Sequence, residues 1–285
     1  MKVLISADME GTCGVVSWVQ VMPPEYGGSE PTAAGEYERA RARMTREVNA
    51  AIEGALAGGA EEVIVNDSHD GMRNLLPEEL HPSCRFVSGS DKPLGMVQGV
   101  DLAGVRAVFF TGYHAKAGTP AAPLAHTWTG WVQDVRFGGR STGEFGINAA
   151  VAGHFGVPVT LVTGDEKAVT QTRELLGEQV VGVAVKDGFS TFAALHLHPE
   201  KAQALIRAGA EEATRRAAEA RPWTLPADSR VEVEFDHQAR ADQAAGVPTV
   251  ERAGARTVAW VAEDGLAFNR TWRAVVRAAS IRLSP

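Results

Sequence analysis

Short apolar runs alternate with longer amphipathic stretches along most of the chain. The apolar residues 3–5 predict a buried strand, and apolar positions at three- and four-residue intervals over residues 34–56 predict a long helix that ends at Gly58-Gly59. The pattern continues downstream, with strands predicted at 62–66, 106–110, 157–162 and 180–185 and helices at about 142–154 and 165–176. Strands separated by helices are typical of a parallel sheet with helices on its faces. The sequence therefore predicts an α/β fold with a mostly parallel sheet flanked by helices.

The pattern changes in the middle of the chain and again in its last third. Residues 128–137 alternate weakly between apolar and polar positions before Gly138-Gly139, which predicts strands joined by a hairpin turn. Residues 23–31 are rich in Pro and Gly and predict a loop. Farther along, the sequence predicts a helix at 199–220, strands at 231–235 and 257–261, and a last helix from 264 to about 280. We expect an α/β domain over residues 1–190 and a smaller C-terminal α/β subdomain, or a continuation of the same domain, over residues 191–285.

The composition excludes several classes of protein. With 45% hydrophobic and 22% charged residues, the 285-residue chain is ordinary for a globular protein. Its net charge of -7 lacks the basic excess typical of nucleic-acid-binding proteins, so we expect no nucleic-acid partner. It has no apolar run of the ~18 residues that a membrane span needs, and no secretory signal pattern at its start, so we expect no membrane partner and a cytoplasmic location. Cys13 and Cys84 form no CxxC pair, which excludes a zinc finger or a redox dithiol.

Acidic and histidine side chains recur where the predicted strands end. Asp8 and Glu10 follow the first strand, His69 the second and His114 the third, while Glu144 lies at the start of a later helix. Ligands of open α/β sheets bind beyond the carboxyl ends of the strands, so these side chains are candidates for one site. Carboxylates and neutral imidazoles are metal ligands, and two carboxylates on one face repel each other unless a cation or protons lie between them. The mixed nitrogen and oxygen set favours one or two zinc ions over magnesium, and it leaves manganese and cobalt open as alternatives.

Each of these residues also has a purely structural explanation. Asp8 could cap a turn, residues 67–70 could form a polar turn, and Glu144 would stabilise a helix N-terminus whatever else it does. His126 could simply pack among Trp128 and its neighbours. From the residues alone, a two-metal amidohydrolase or phosphoesterase and a metal-free binding module for a small ligand therefore stay open beside a metallopeptidase.

Four short motifs narrow the choice. They are Ser-Ala-Asp-Met-Glu-Gly at 6–11, Val-Asn-Asp-Ser-His at 65–69, Gly-Tyr-His-Ala at 112–115 and Gly-Glu-Phe-Gly-Ile-Asn-Ala at 143–149. In their order and approximate spacing they resemble the zinc-dependent D-aminopeptidases of the DppA type. The similarity is clear from residue 1 to about residue 190 and looser from there to the end.

The resemblance implies the fold, the reaction and the site residues. It implies a hydrolase with two zinc ions per subunit that releases D-amino acids such as D-Ala from the N-termini of short peptides. It implies that Asp8 contacts both ions and that His126 acts in catalysis. The family also implies a homo-oligomer, a ring-shaped decamer with the active sites facing an inner channel. The metal ligands that it implies are Asp8, Glu10, His69, His114 and Glu144.

Overall fold

The fold is given by a computed structural model that describes residues 1–23 and 33–283. Most of the loop predicted at 23–31 lies outside the described residues. The strands are β1 (Lys2–Ala7), β2 (Glu62–Asp67), β3 (Cys84–Val87), β4 (Val105–Tyr113), β5 (Val132–Phe137), β6 (Arg140–Thr142), β7 (Val159–Asp165), β8 (Val181–Ser190), β9 (Ala193–His196), β10 (Ser229–Phe235), β11 (Glu251–Arg252) and β12 (Thr257–Ala262). The α-helices are α1 (Trp18–Val21), α2 (Ala33–Ala57), α3 (Glu144–His154), α4 (Glu166–Leu176), α5 (Pro199–Arg215), α6 (Gln238–Ala244) and α7 (Gly265–Ala279).

The first of two compact units contains a seven-stranded sheet in the order β3-β2-β1-β4-β7-β8-β9. All neighbours in this sheet pair in parallel except β8 and β9, which are antiparallel. Helices α2 and α5 pack against each other, and α4 packs against β7 and β8. Strand β7 is buried along its whole length, as are β1 and β2 after their first residues, as expected for parallel strands covered on both faces. The predicted α/β fold with a mostly parallel, helix-flanked sheet is confirmed.

The second unit is built on an antiparallel five-stranded sheet in the order β11-β12-β10-β5-β6. Its core is aromatic: Phe268 makes an edge contact with Phe137 and stacks on Trp260, and it also lies beside Trp272. Strands β5 and β6 form the hairpin predicted around Gly138-Gly139. Three of the helices, α3, α6 and α7, belong to this unit.

The boundary predicted near residue 190 does not coincide with the division into compact units. Residues 125–156 belong with the chain from Trp223 onward, whereas residues 191–222 stay in the first unit. The reason is long-range strand pairing: β5 pairs with β10, which brings Val135 opposite Val233. Such a pairing leaves no mark in local hydrophobic periodicity, which is the signal on which the predicted boundary depended.

Several element ends also differ from the prediction. The helix predicted at 199–220 ends at Arg215, and α6 lies between the strands predicted at 231–235 and 257–261, where no helix was predicted. Both helices have a histidine at the N-cap: the Nδ1 atom of His198 accepts a hydrogen bond from Glu200 N at 3.3 Å, and that of His237 accepts one from Ala239 N at 3.1 Å. Histidine is not among the preferred N-cap residues, so the start of α6 carries no usual sequence signal, whereas Pro199 in the first turn of α5 marks the start that the sequence predicted. Within the described residues, no helix combines the length and apolar character that crossing a membrane requires.

The backbones of β1 and β4 converge just beyond the last residue of β1. Asp8 N donates to Thr111 O at 2.8 Å, and Gly11 N donates to Gly112 O at 2.8 Å. A Cβ atom on Gly11 would lie 1.9 Å from Tyr113 O, and one on Gly112 would lie 2.2 Å from Asp8 O. Gly112 also has a φ of 67°, in the left-handed region that favours glycine. The close approach that puts Asp8 beside β4 therefore requires glycine at both positions.

Gly112→Ala is accordingly expected to lower the free energy of unfolding by about 2–5 kcal/mol, from the steric overlap and the left-handed backbone together. Gly89→Ala is the matched control, because Gly89 also has a positive φ, of 90°, but no atom lies within 4 Å of the added Cβ. Urea denaturation of both variants measures the difference. A Gly112→Ala variant that lost no more stability than Gly89→Ala would show that the strands can separate without cost.

Candidate metal centre

Three neighbouring strands of the first unit end at the candidate site. Asp8 and Glu10 follow β1, His69 follows β2 and His114 follows β4. Strand β1 lies between β2 and β4 and pairs in parallel with both. The carboxyl ends of the three strands therefore meet at one edge of the sheet, which is where open α/β sheets bind ligands.

The carboxylate of Asp8 lies between two imidazole rings. Its Oδ1 atom is 3.2 Å from His69 Nδ1, and its Oδ2 atom is 3.5 Å from His114 Nε2. Glu10 Oε2 is 3.0 Å from the same His69 Nδ1, and Asp8, Glu10 and His69 each offer a ligand atom within 4.8 Å of the others. All four residues are at most 5% exposed. The first unit thus brings together four of the five predicted metal ligands.

Backbone carbonyls fix the orientation of both rings. His69 Nε2 lies 2.5 Å from Val21 O, and His114 Nδ1 lies 3.0 Å from Ala115 O. A carbonyl oxygen only accepts hydrogen bonds, so these nitrogens are the donors. In a ring that a metal ion keeps neutral, the other nitrogen then directs its lone pair towards Asp8. Metal-ligating histidines are held in this way, with the second ring nitrogen bound to a carbonyl or carboxylate.

The electrostatics of the cluster call for a positive charge. Burial alone would lower the pKa of the His69 imidazole, but the carboxylates of Glu10 and Asp8 outweigh burial and raise this pKa well above its ordinary value. Two buried carboxylates this close are stable only with a proton or a cation among them. A divalent ion would supply the charge and leave His69 neutral, and the mixed imidazole and carboxylate set suits zinc.

The loop that carries His69 is organised by Asp67. The Asp67 carboxylate accepts hydrogen bonds from the backbone N–H groups of Asn74 and Leu75, at 2.5 and 2.8 Å. The amide of Asn74 donates to Asp67 Oδ1 at 2.9 Å and to His69 O at 2.6 Å. Asp67 therefore has the structural role of a polar turn, and this turn presents His69 to the site.

The remaining two predicted site residues lie together in the second unit. Glu144 is the first residue of α3 and is 5% exposed, and its Oε1 atom is 3.7 Å from His126 Nε2. The same oxygen accepts a hydrogen bond from Trp128 N at 2.7 Å. Trp128 has a φ of 67°, a left-handed conformation that costs a bulky residue free energy and is often found at functional sites. The turn at residues 126–128 thus holds the Glu144 carboxylate beside the His126 ring.

Sequence reasoning missed Lys186, which lies on β8 and is 2% exposed. Its Nζ atom donates to the backbone carbonyls of the loop that contains Glu10. Burial lowers the pKa of Lys186 to about 8, even though Asp165 and Glu47 favour its charged form. The only available signal was a lysine directly after the strand predicted at 180–185, and a buried residue of this kind needs polar partners.

Comparison with known proteins identifies the family of the chain. The model of peptidase family M55, described as D-aminopeptidase, matches residues 1–274. The chain belongs to the D-aminopeptidase family. A D-aminopeptidase of Bacillus subtilis (strain 168) is 37% identical over 267 residues, which are 93% of each chain. A solved structure, the Zn-dependent D-aminopeptidase DppA from Bacillus subtilis, described as a self-compartmentalizing protease, has 34% identity and a TM-score of 0.91 over 100% of both chains. The family resemblance given by the four sequence motifs is confirmed.

Proposed function

We propose that this member of the D-aminopeptidase family uses zinc to release D-amino acids from the N-termini of short peptides. The observation that carries the proposal is the Asp8 carboxylate between two imidazole rings, each fixed by a backbone carbonyl. Membership of a peptidase family supports peptide hydrolysis over a phosphoesterase or a metal-free binding module. The zinc dependence of the solved relative supports the choice of metal.

The proposed centre holds two zinc ions per subunit. Asp8 has one oxygen towards each histidine, which suits a carboxylate that contacts both ions. The family resemblance adds Glu144 to the set, and Trp128 N already orients its carboxylate. The proposed ligands are Asp8, Glu10, His69, His114 and Glu144. When bound, zinc supplies Lewis acidity, which polarises the scissile carbonyl and lowers the pKa of a water molecule.

His126 is the proposed catalytic residue. Its ring takes up a proton from the attacking water at Nε2 and returns it to the leaving amine, which is the work of a general base and then a general acid. The neighbouring Glu144 carboxylate, 3.7 Å from Nε2, stabilises the ring while it carries that proton. The acidic side of the site, with Glu10, provides a partner for the free amino group of the substrate. Recognition of that amino group accounts for cleavage at the first residue of a peptide.

The proposed assembly is a homo-oligomer. The solved relative that covers the whole chain is described as self-compartmentalizing, and the family resemblance points to a ring of ten subunits. Light scattering of the purified protein is expected to give ten times the chain mass of 30.2 kDa. A monomeric mass that persisted at high protein concentration would contradict this part of the proposal.

The substrate class and the metal are tested together with matched substrates. The protein is expected to hydrolyse D-Ala p-nitroanilide faster than the L isomer, to lose this activity on dialysis against a chelator, and to regain it when zinc is added. The physical reason is that removal of zinc removes the Lewis acid that polarises the scissile carbonyl, and the carboxylates that remain cannot replace it. Preferential hydrolysis of a phosphate ester would favour the phosphoesterase instead. A purified protein that bound no zinc in equilibrium dialysis would favour the binding module.

A further inference from the structure

A single buried ammonium group binds the loop that leads from β1 into α1. Lys186 Nζ lies 2.5 Å from the carbonyl oxygen of Glu10, 3.1 Å from that of Thr12 and 2.7 Å from that of Val15. A lysine ammonium has three N–H groups, so all three are used by carbonyls of one loop. The geometry is that of a bound cation gathering backbone oxygens around itself.

Other side chains bind the same short stretch of backbone. Glu47 of α2 accepts a hydrogen bond from Cys13 N at 2.9 Å. At the next residue, Gly14 O accepts from Arg43 at 3.1 Å, and Gly14 N donates to His196 Nδ1 at 3.0 Å. The loop from Glu10 to Val15 is therefore held from α2 and from the β8–β9 hairpin at once, although it contains no regular secondary structure itself.

The conformation of this loop decides where the carboxylate of Glu10 lies. Strand β1 ends at Ala7, and the peptide group that joins Glu10 to Gly11 is held on its N–H side by the hydrogen bond from Gly11 N to Gly112 O of β4. The hydrogen bond from Lys186 fixes the carbonyl side of the same peptide group, and both bonds together set the direction in which the Glu10 side chain leaves the backbone. That direction brings Glu10 Oε2 to 3.0 Å from His69 Nδ1. Without the ammonium, three buried carbonyls would lose a partner, and the loop would have other conformations available.

We propose that Lys186 is a positioning residue for the metal centre. Its ammonium group acts as a built-in cation that holds residues 10–15 in the conformation in which the Glu10 carboxylate faces Asp8 and His69. This inference rests on the proposed function, because it assigns Lys186 to the zinc site. Lys186 contacts neither metal nor substrate in this role. Its effect reaches the site only through the backbone of Glu10.

The test is zinc binding by Lys186→Met, measured by competition with a chromogenic chelator and compared with the wild-type protein in the same experiment. Methionine keeps the length of the side chain but has no N–H donor. We expect one of the two zinc-binding steps to weaken by about 10–100-fold, the range typical of residues that orient metal ligands, while the other step changes less. The visible absorption bands of the cobalt-substituted protein are expected to change as well, because they report the geometry of the ligands.

Ile206→Ala is the control for a merely structural effect. Ile206 is fully buried in α5 of the same unit, so its truncation destabilises the fold without removing a bond to the loop. This variant is expected to lower the melting temperature and to keep both zinc-binding steps and the cobalt spectrum of the wild type. Should Lys186→Met fail to fold, Lys186→Gln decides the matter, because its amide keeps two donors for the loop and is expected to weaken the same step by a smaller factor.

The outcomes separate the two proposals. Zinc binding by a folded Lys186 variant that equals the wild type, with an unchanged cobalt spectrum, would overturn the positioning role and leave the proposed function standing. Equal weakening in the Lys186 variants and in Ile206→Ala would also overturn it, since loss of stability would then explain the change. A wild-type protein that bound no zinc would overturn the proposed function itself, and the positioning role with it.

Discussion

Asp8→Asn is expected to remove tightly bound zinc and to lower aminopeptidase activity by at least about 10³-fold, because the several kcal/mol supplied by the metal are lost with it. Asparagine keeps the shape of the side chain and an oxygen for the hydrogen bond that Asp8 Oδ1 accepts from Met9 N at 2.9 Å. It lacks the negative charge that two cations need between the rings of His69 and His114. The change therefore tests the charge of Asp8 while it preserves the local fold.

Elemental analysis of the purified variant measures the zinc content, and a thermal scan with and without added zinc measures the linkage between binding and folding. Zinc is expected to raise the melting temperature of the wild type and to have little effect on the variant, because only a ligand that binds the native state stabilises it. Asp70→Asn serves as the control, since Asp70 is an exposed acid next to His69. A zinc stoichiometry of two in Asp8→Asn would rule out the role of Asp8 as a ligand to both ions.

His126→Ala is expected to retain its zinc and to lower kcat by about 10²–10⁴-fold, the usual contribution of a general acid–base residue. The physical reason is that the ring transfers protons, whereas the proposed ligands hold the metal. KM is expected to change little, because His126 acts on the reacting atoms and not on the binding of the peptide chain. Steady-state kinetics together with elemental analysis separates the two effects.

His154→Ala is the matched control for this substitution. His154 is the last residue of α3, the helix that begins with Glu144, and its Nδ1 atom is 3.5 Å from Asp264 Oδ2. Its loss is expected to leave kcat and zinc content unchanged. If zinc were lost from His126→Ala, His126 would have to be assigned as a ligand and the proton transfer would need another group.

Much of the fold could be predicted from the sequence because the signals are local. The buried runs of β1, β2 and β4 are continuous apolar segments, and the apolar face of α2 repeats at helical intervals. The four candidate metal ligands of the first unit could be predicted as a cluster because each follows one of these strands. Parallel strands place their carboxyl ends together at one edge of the sheet.

The division into compact units and the histidine-capped start of α6 could not be predicted. The pairing of β5 with β10 joins segments that are far apart in sequence, and nothing in either strand specifies its partner. The register of such a pair is set by the tertiary packing of both sheet faces. The boundary near residue 190 depended on a change of local pattern, and this change does not follow the contacts between strands.

The sequence by itself determined which chemical groups are available: three carboxylates and two imidazoles of the metal-binding type, on elements that local hydrophobic pattern defines. Only the tertiary structure decided how those groups are oriented, through the carbonyls of Val21 and Ala115 and through the ammonium of Lys186. The physical reason is that every residue carries a carbonyl oxygen, so a hydrogen bond from a side chain to a distant backbone group leaves no trace in residue type. Orientation of the ligands is therefore a property of the folded chain, whereas their identity is already present in the sequence.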